Sequence, residues 1–316
     1  DWMSDNAYLD SSFNVQINTG TAAVKETFVV NGATLSVDVP AGPYVRVEVL
    51  GGRLAVGSNG AELTGDFAFE KGTATGGGAI VKFAVRNVNI TFDGQGLTEG
   101  TGGFVITSSG IAGQLTGKLN VQGGGIEASG FLGLRINQTR AAVDETVQVG
   151  ADQMAITFSA AEGNIFSFFL SDATFKVGEF VTIEGSVSFT TRPDNSKVFA
   201  GTGLLVFLGE GPVEKQDGSR NLAAKGVLLS NADIGLVQFA DGSLALSANG
   251  KVEIIGIDGV SLFGQASIRF NNSGQIVDET LTVPNTTTDI PVQFATTADV
   301  ASFAANSVDL PIAGQT

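Results

Sequence analysis

The chain has 316 residues, 43% hydrophobic and 16% charged, with 17 basic and 32 acidic side chains and a formal net charge of −15. This balance excludes a disordered polymer, offers no apolar run of the roughly 18 residues a membrane helix needs, and repels nucleic-acid phosphate, so neither nucleic acid nor membrane insertion is expected. The absence of Cys and His excludes thiol nucleophiles, Ser-His-Asp triads, imidazole bases and His/Cys zinc sites.

The 43 glycines, set among Val, Ile, Thr, Phe and Ser, are what many short strands joined by tight turns require. The start, Asp1-Trp2-Met3-Ser4, has neither an initiator Met nor a basic, apolar leader. It reads as a piece of a longer exported chain. Strand periodicity opens at Leu35, Val37 and Val39, and at Val45, Val47 and Val49, which alternate with Tyr44, Arg46 and Glu48. The valines are expected to face the core and the polar set water. Pro40-Ala41-Gly42-Pro43 reads as the turn between the two runs. Further turns are expected at Asn31-Gly32, Asn59-Gly60, Asp93-Gly94, Asp217-Gly218, Asp241-Gly242, Asn249-Gly250 and Asp258-Gly259.

Self-similarity fixes the organisation. Ile17-Asn18-Thr19-Gly20-Thr21-Ala22-Ala23-Val24-Lys25-Glu26-Thr27 matches the run from Ile136 to Thr146, and again the run from Phe270 to Thr280. Gly65-Asp66-Phe67-Ala68-Phe69 matches Gly185 to Phe189, and Gly94-Gln95-Gly96 matches Gly209-Glu210-Gly211. The chain therefore reads as an extension (1–12), two β-repeat modules (13–130 and 131–265) and a partial third (266–316). The expected fold class is all-β: tandem antiparallel sheet modules, sandwich- or solenoid-like, stacked into an elongated array.

Parity sets the expected pairing in the second module, because cross-strand partners share a face. A two-residue Asp241-Gly242 turn pairs Phe239 with Leu244 and Val237 with Leu246. A three-residue turn ending at Gly250, with Gly250 in the left-handed region, pairs Leu246 with Val252. Asp258-Gly259 then pairs Ile255 with Leu262 and implies a bulge between Ile254 and Ile255. Ala298 to Ala305 resembles a helix locally, but its counterparts from Val45 and Ile165 read as strands, so it is expected to be a strand.

The chemistry-bearing residues are carboxylates. Lys25-Glu26, Asp144-Glu145 and Asp278-Glu279 follow the repeat, unlike a unique pair flanking a glycosidic bond, so no catalytic residue and no enzyme is expected. Asp144, Glu145, Asp278 and Glu279 are the candidate calcium ligands, calcium being the one cofactor considered; Lys25 argues against such a site in every module. Gly76-Gly77-Gly78 and Gly123-Gly124-Gly125 lack the Gly-Lys-Ser/Thr ending of a phosphate loop and read as turns. Phe166, Phe168 and Phe169 read as sheet core, with a lipid groove as the alternative. Asn89, Asn137, Asn271 and Asn285 each open an N-glycosylation pattern short enough to arise by chance.

The blocks Asn18 to Thr27, Pro40 to Glu48 and Leu63 to Glu70 resemble the tandem β-repeats of very large bacterial extracellular or cell-surface proteins. The resemblance implies an extracellular or cell-surface, multi-repeat setting and supplies no functional residues. The function expected is a structural repeat of a fibre, sheath or surface layer, with copies of itself or adjacent repeats as partners. A calcium- or glycan-binding adhesin module, meeting surface glycans, is the alternative.

Overall fold

A computed structural model describes residues 7–56, 61–74, 77–215, 219–257 and 262–309. The turns expected at Asn59-Gly60, Asp217-Gly218 and Asp258-Gly259, residue Gly76 and the first six residues of the extension lie outside them. Among the described residues the chain forms strands and one 3-10 turn, Ala160–Glu162. No described helix is long and apolar enough to cross a membrane.

The strands, in chain order, are β1 (Ala7–Asn18), β2 (Val24–Val30), β3 (Ala33–Val39), β4 (Tyr44–Val56), β5 (Ala61–Thr73), β6 (Ala79–Phe92), β7 (Gln95–Thr107), β8 (Gly110–Gly123), β9 (Ile126–Asn137) and β10 (Val143–Val149). They continue with β11 (Asp152–Phe158), β12 (Ile165–Val177), β13 (Val181–Thr191), β14 (Lys197–Glu210), β15 (Lys225–Gln238), β16 (Leu244–Ile255), β17 (Leu262–Asn271), β18 (Val277–Thr282), β19 (Asp289–Phe294) and β20 (Val300–Asp309). The segment from Ala298 is thus strand in β20, as the repeat required.

Fourteen strands share one open antiparallel sheet in the order β1-β4-β5-β6-β7-β8-β9-β12-β13-β14-β15-β16-β17-β20. The remaining six pair as the hairpins β2–β3, β10–β11 and β18–β19. Each hairpin is inserted between two neighbouring sheet strands, and each begins within one of the three matching sequence blocks. Asn31-Gly32 turns the first hairpin with φ of 50° and 80°, and Asp93-Gly94 joins β6 to β7 with 51° and 73°. Two consecutive positive φ values give the turn twist that suits paired strands, which is why Asn or Asp precedes Gly there.

Gly65 and Gly185, equivalent in the sequence match, adopt φ of 137° and 126°. Each sits where the register slips by a residue, between Thr64 and Asp66 and between Glu184 and Ser186. A Cβ at Gly65 would lie 2.8 Å from Val88 Cα, so the repeated glycine marks a repeated bulge.

Contacts divide the chain into two compact units, Asp1–Lys118 with Leu134–Ile165, and Leu119–Gly133 with Phe166–Thr316. In the first, β10–β11 folds back onto the face of β5 to β8: Val143, Val147, Val149, Ile156 and Phe158 close over Ala68, Ile80, Ala84, Val105 and Ala112. In the second, Val277, Leu281, Ile290, Val292 and Phe294 of the third hairpin close over Val198, Ala200, Val237 and Ala245. Five buried side chains at about 1.5–3 kcal/mol each give a burial term on the order of 10 kcal/mol. One hydrogen bond nets about 1 kcal/mol, so burial dominates the docking.

The valines of β4 reverse the expectation. Tyr44, Arg46 and Glu48 are the buried set at 7%, 8% and 7% exposure, whereas Val45 and Val47 are half-buried. The hairpin covers the polar face of β4, and alternation alone does not say which face a distant segment will cover. Asn249-Gly250 is also corrected: it lies inside β16, Asn249 opposite Asp233 and Gly250 opposite Ala266. A Cβ on Gly250 would lie 2.8 Å from Ala232 Cβ, so the residue serves close packing. The Asp241-Gly242 turn exists but is one residue longer than expected. Phe239 N donates to Ser243 O, and Asp241 accepts from Ser243 N and Oγ at 2.9 and 2.6 Å. That extra residue pairs Val237 with Ala245 and Leu236 with Leu246. Ile254, not Ile255, then faces Leu262, and no bulge is needed.

Candidate functional site

Each hairpin leaves the sheet through the same asparagine. Asn137 Nδ2 donates to Ala141 O at 2.9 Å, and its Oδ1 accepts from Thr139 N and Oγ1 at 3.0 and 2.7 Å. Asn271 makes the same set with Gln275 O, Ser273 N and Ser273 Oγ, and Asn18 bonds Ala22 O and Gly20 N. Asn137 and Asn271 are 0% and 1% exposed. Their amides are engaged in the turn, so two of the four glycosylation patterns place the acceptor nitrogen where no glycan fits.

Within the first unit a charged seam lies under the second hairpin. Lys82 of β6 reaches Glu145 at 2.8 Å and Glu70 at 3.7 Å, and donates to Thr146 O at 3.2 Å. Arg46 pairs with Glu48 at 2.8 Å and Glu70 at 3.5 Å and donates to Gln148 O at 2.7 Å. Glu48 accepts from Gly150 N at 2.7 Å, and Tyr44 Oη donates to Glu70 at 3.2 Å. Arg86 joins Asp66 at 2.9 Å and also meets Asp152 at the hairpin tip. Burial, then the Glu70 carboxylate beside it, pushes the Tyr44 phenol up to about 12. Burial opposes charge on Asp66, but the Gly51 amide and Arg86 outweigh it and hold the carboxyl below its ordinary range.

In the second unit the clamp is a single fork. Arg192 donates to both oxygens of Glu279 at 2.9 and 3.0 Å, and those hydrogen bonds raise the guanidinium further above its ordinary value. Arg135 stands over the Phe158 ring and Arg269 over the Phe294 ring, each 4.8 Å from the centroid. These cations cover the last aromatic of their hairpins.

The carboxylates singled out in the sequence are separated by this geometry. Glu145 and Glu279 point inward, each onto a cation. Asp144 and Asp278 are exposed on the outer face of the ribbon, Asp278 accepting from Gln293 Nε2 at 2.8 Å. Adjacent strand residues face opposite sides, so neither pair converges on one ion. Among the described residues no group of three His, Cys, Asp or Glu is placed to hold a metal. Asp144 and Glu145 border an open depression of about 480 Å³ with Thr107, Thr139 and Ile80. The phenylalanines of β12 are not sheet core as expected: Phe166 and Phe168 are exposed, Phe168 stacking on Phe189 at 5.7 Å, while Phe169 on the opposite face meets Phe131 at 6.2 Å.

Sequence reasoning missed Lys82, Arg46, Glu70 and Arg192. A signal was present for their partner: Glu145 has the parity of Val143 and Val147, and Glu279 that of Val277 and Leu281, so an inward acid was legible. Comparison with protein-family models, with curated proteins and with solved structures finds no match.

Proposed function

We propose that this chain is a structural, non-enzymatic unit of an extracellular fibre, sheath or surface layer, joined to its neighbours through β contacts. The observation that carries the reading is the pair of long edge strands. The sheet begins at β1 and ends at β20, and Phe13, Val15, Ile17 and Phe303 on these strands are 60%, 55%, 61% and 69% exposed. A long apolar edge is a template for strand addition unless something covers it. Support also comes from the inward glutamates, which are neutralised by lysine or arginine and hold hairpins in place.

Sedimentation and negative-stain microscopy over a rising concentration series test the reading. Linear assemblies are expected, shortened by Val15→Lys in β1. Monomers at every concentration, with the β-sheet circular dichroism intact, would overturn it. The rival reading, a calcium- or glycan-binding adhesin module, draws on the depression beside Asp144. Calcium calorimetry and a glycan array separate the two.

A further inference from the structure

The first hairpin repeats the register of the other two, but among the described residues only its base is covered: Val39 is buried, whereas Phe28 and Leu35 stand exposed. By register Val24, Glu26 and Phe28 of β2 stand where Val143, Glu145 and Val147 stand in β10, and where Val277, Glu279 and Leu281 stand in β18. Across the ribbon Leu35 and Val37 correspond to Met154 and Ile156, and to Ile290 and Val292. Val147, Ile156 and Val292 are fully buried, whereas Phe28 and Leu35 are 52% and 53% exposed. An isolated two-stranded ribbon is marginal in water, and this one retains an apolar inward face.

The two covered hairpins show what such a face meets. The receiving strands present small residues, Ala68, Ala84 and Ala112 in one unit and Ala200 and Ala245 in the other. Glycines complete the stripe: a Cβ on Gly103 would lie 3.0 Å from Ile156 Cδ1, and one on Gly235 2.6 Å from Val292 Cγ2. Both platforms also hold a cation for the inward acid, Lys82 for Glu145 and Arg192 for Glu279. Glu26 has no ion partner among the described residues, since Lys25 turns outward to Asp38 at 3.0 Å.

We propose that the inward face of β2–β3 is a docking surface for an antiparallel sheet platform of the β5–β8 kind, lined with alanine and glycine and carrying a lysine or arginine that meets Glu26. Charge selects this occupant over a second copy of the same face, which would set Glu26 against Glu26 without a cation. The two platforms among the described residues are already filled by β10–β11 and β18–β19, so the partner is a platform without a hairpin of its own. The inference rests on the structural reading above for its setting, but hairpin docking and edge pairing are separate contacts.

The cysteine-free sequence lets a single introduced thiol report. A tandem chain joining residues 1–125 to residues 7–316 places a second β1 after β8, so that its β2–β3 follows an open platform. With Phe28→Cys in that second hairpin alone, maleimide labelling is expected to slow by about ten-fold or more relative to Phe28→Cys in the original chain. The outward Val29→Cys keeps its rate, and adding Glu26→Lys restores fast labelling at position 28. A control tandem carrying residues 143–158 in place of the second 24–39, with its thiol at Val147, shows that the platform is formed. Equal Phe28→Cys rates in the two chains overturn the proposal. So does protection in the original chain that grows with its concentration, because that assigns the face to a second copy. Neither readout depends on fibre formation.

Discussion

Lys82 Nζ lies 2.8 Å from Glu145 Oε2, and both side chains are only 15% exposed. The pair ties β6 to a hairpin far along the chain, and Lys82 is also shared with Glu70. Lys82→Met leaves the mostly buried Glu145 without its cation, while Glu70 keeps Arg46 at 3.5 Å. The expected loss, about 2 kcal/mol, falls between exposed pairs at 0–1 and fully buried ones at 3–5. Glu145→Gln keeps an acceptor for the ammonium and costs about 1 kcal/mol. Hydrogen exchange of the β10–β11 amides measures both, and an unchanged rate in Lys82→Met would show that the seam is idle.

The hinge asparagines carry a second prediction. Asn137→Ala leaves the buried Thr139 amide without its acceptor and the Ala141 carbonyl with only the Thr139 hydroxyl at 3.3 Å, at an expected cost of about 1–3 kcal/mol. Asn137→Asp keeps the acceptor but buries a carboxylate with an oxygen set against the Ala141 carbonyl, so its cost is at least as large. Glycan mapping of the chain from a glycosylating host is expected to find Asn137 and Asn271 unmodified; a glycan on either would contradict the buried hinge.

What the sequence made legible, and what it hid, follows from the same hinge. The blocks around Asn18, Asn137 and Asn271 announce three equivalent elements, and the Asn31-Gly32 and Asp93-Gly94 turns behave as their chemistry requires. Hidden was where each hairpin goes. Alternation in β4 is equally clear on both faces, and only the arrival of β10–β11 makes Tyr44, Arg46 and Glu48 the covered set. Asn249-Gly250 misled for a similar reason. A glycine needed for close approach inside β16 looks, in sequence, like a glycine needed for a turn. The Asp241-Gly242 register slipped because Asp241 draws Ser243 into the turn, and apolar residues on both faces of β15 and β16 made parity a poor guide.

Close approach gives a third prediction. Gly235 lies under the third hairpin with no room for a side chain, Val292 Cγ2 being 2.6 Å from where a Cβ would stand. Gly235→Val must lift β19 or shift β15, an overpacking cost of about 1–3 kcal/mol. Amide exchange over residues 277–294 is expected to quicken while residues 143–158 are unaffected. Equal quickening of both hairpins would mean that they do not dock independently.

Alkaline pH tests the seam through Tyr44, one of two tyrosines in the chain. Burial and the Glu70 carboxylate favour the neutral phenol, pushing it up to about 12 from an ordinary 10. Above pH 10 the unfolded chain releases this proton while the folded chain retains it, so stability falls as pH rises from about 10 to 12. Below pH 10 both states hold the proton and the contribution is complete. The loss across the window is on the order of 2 kcal/mol, and Tyr44→Phe should flatten it while leaving the Arg46–Glu48 pair in place. Ultraviolet titration of phenolate in the folded chain is expected to show one tyrosine ionising late. If both tyrosines ionise near 10, the phenol is open to water and Glu70 does not hold it.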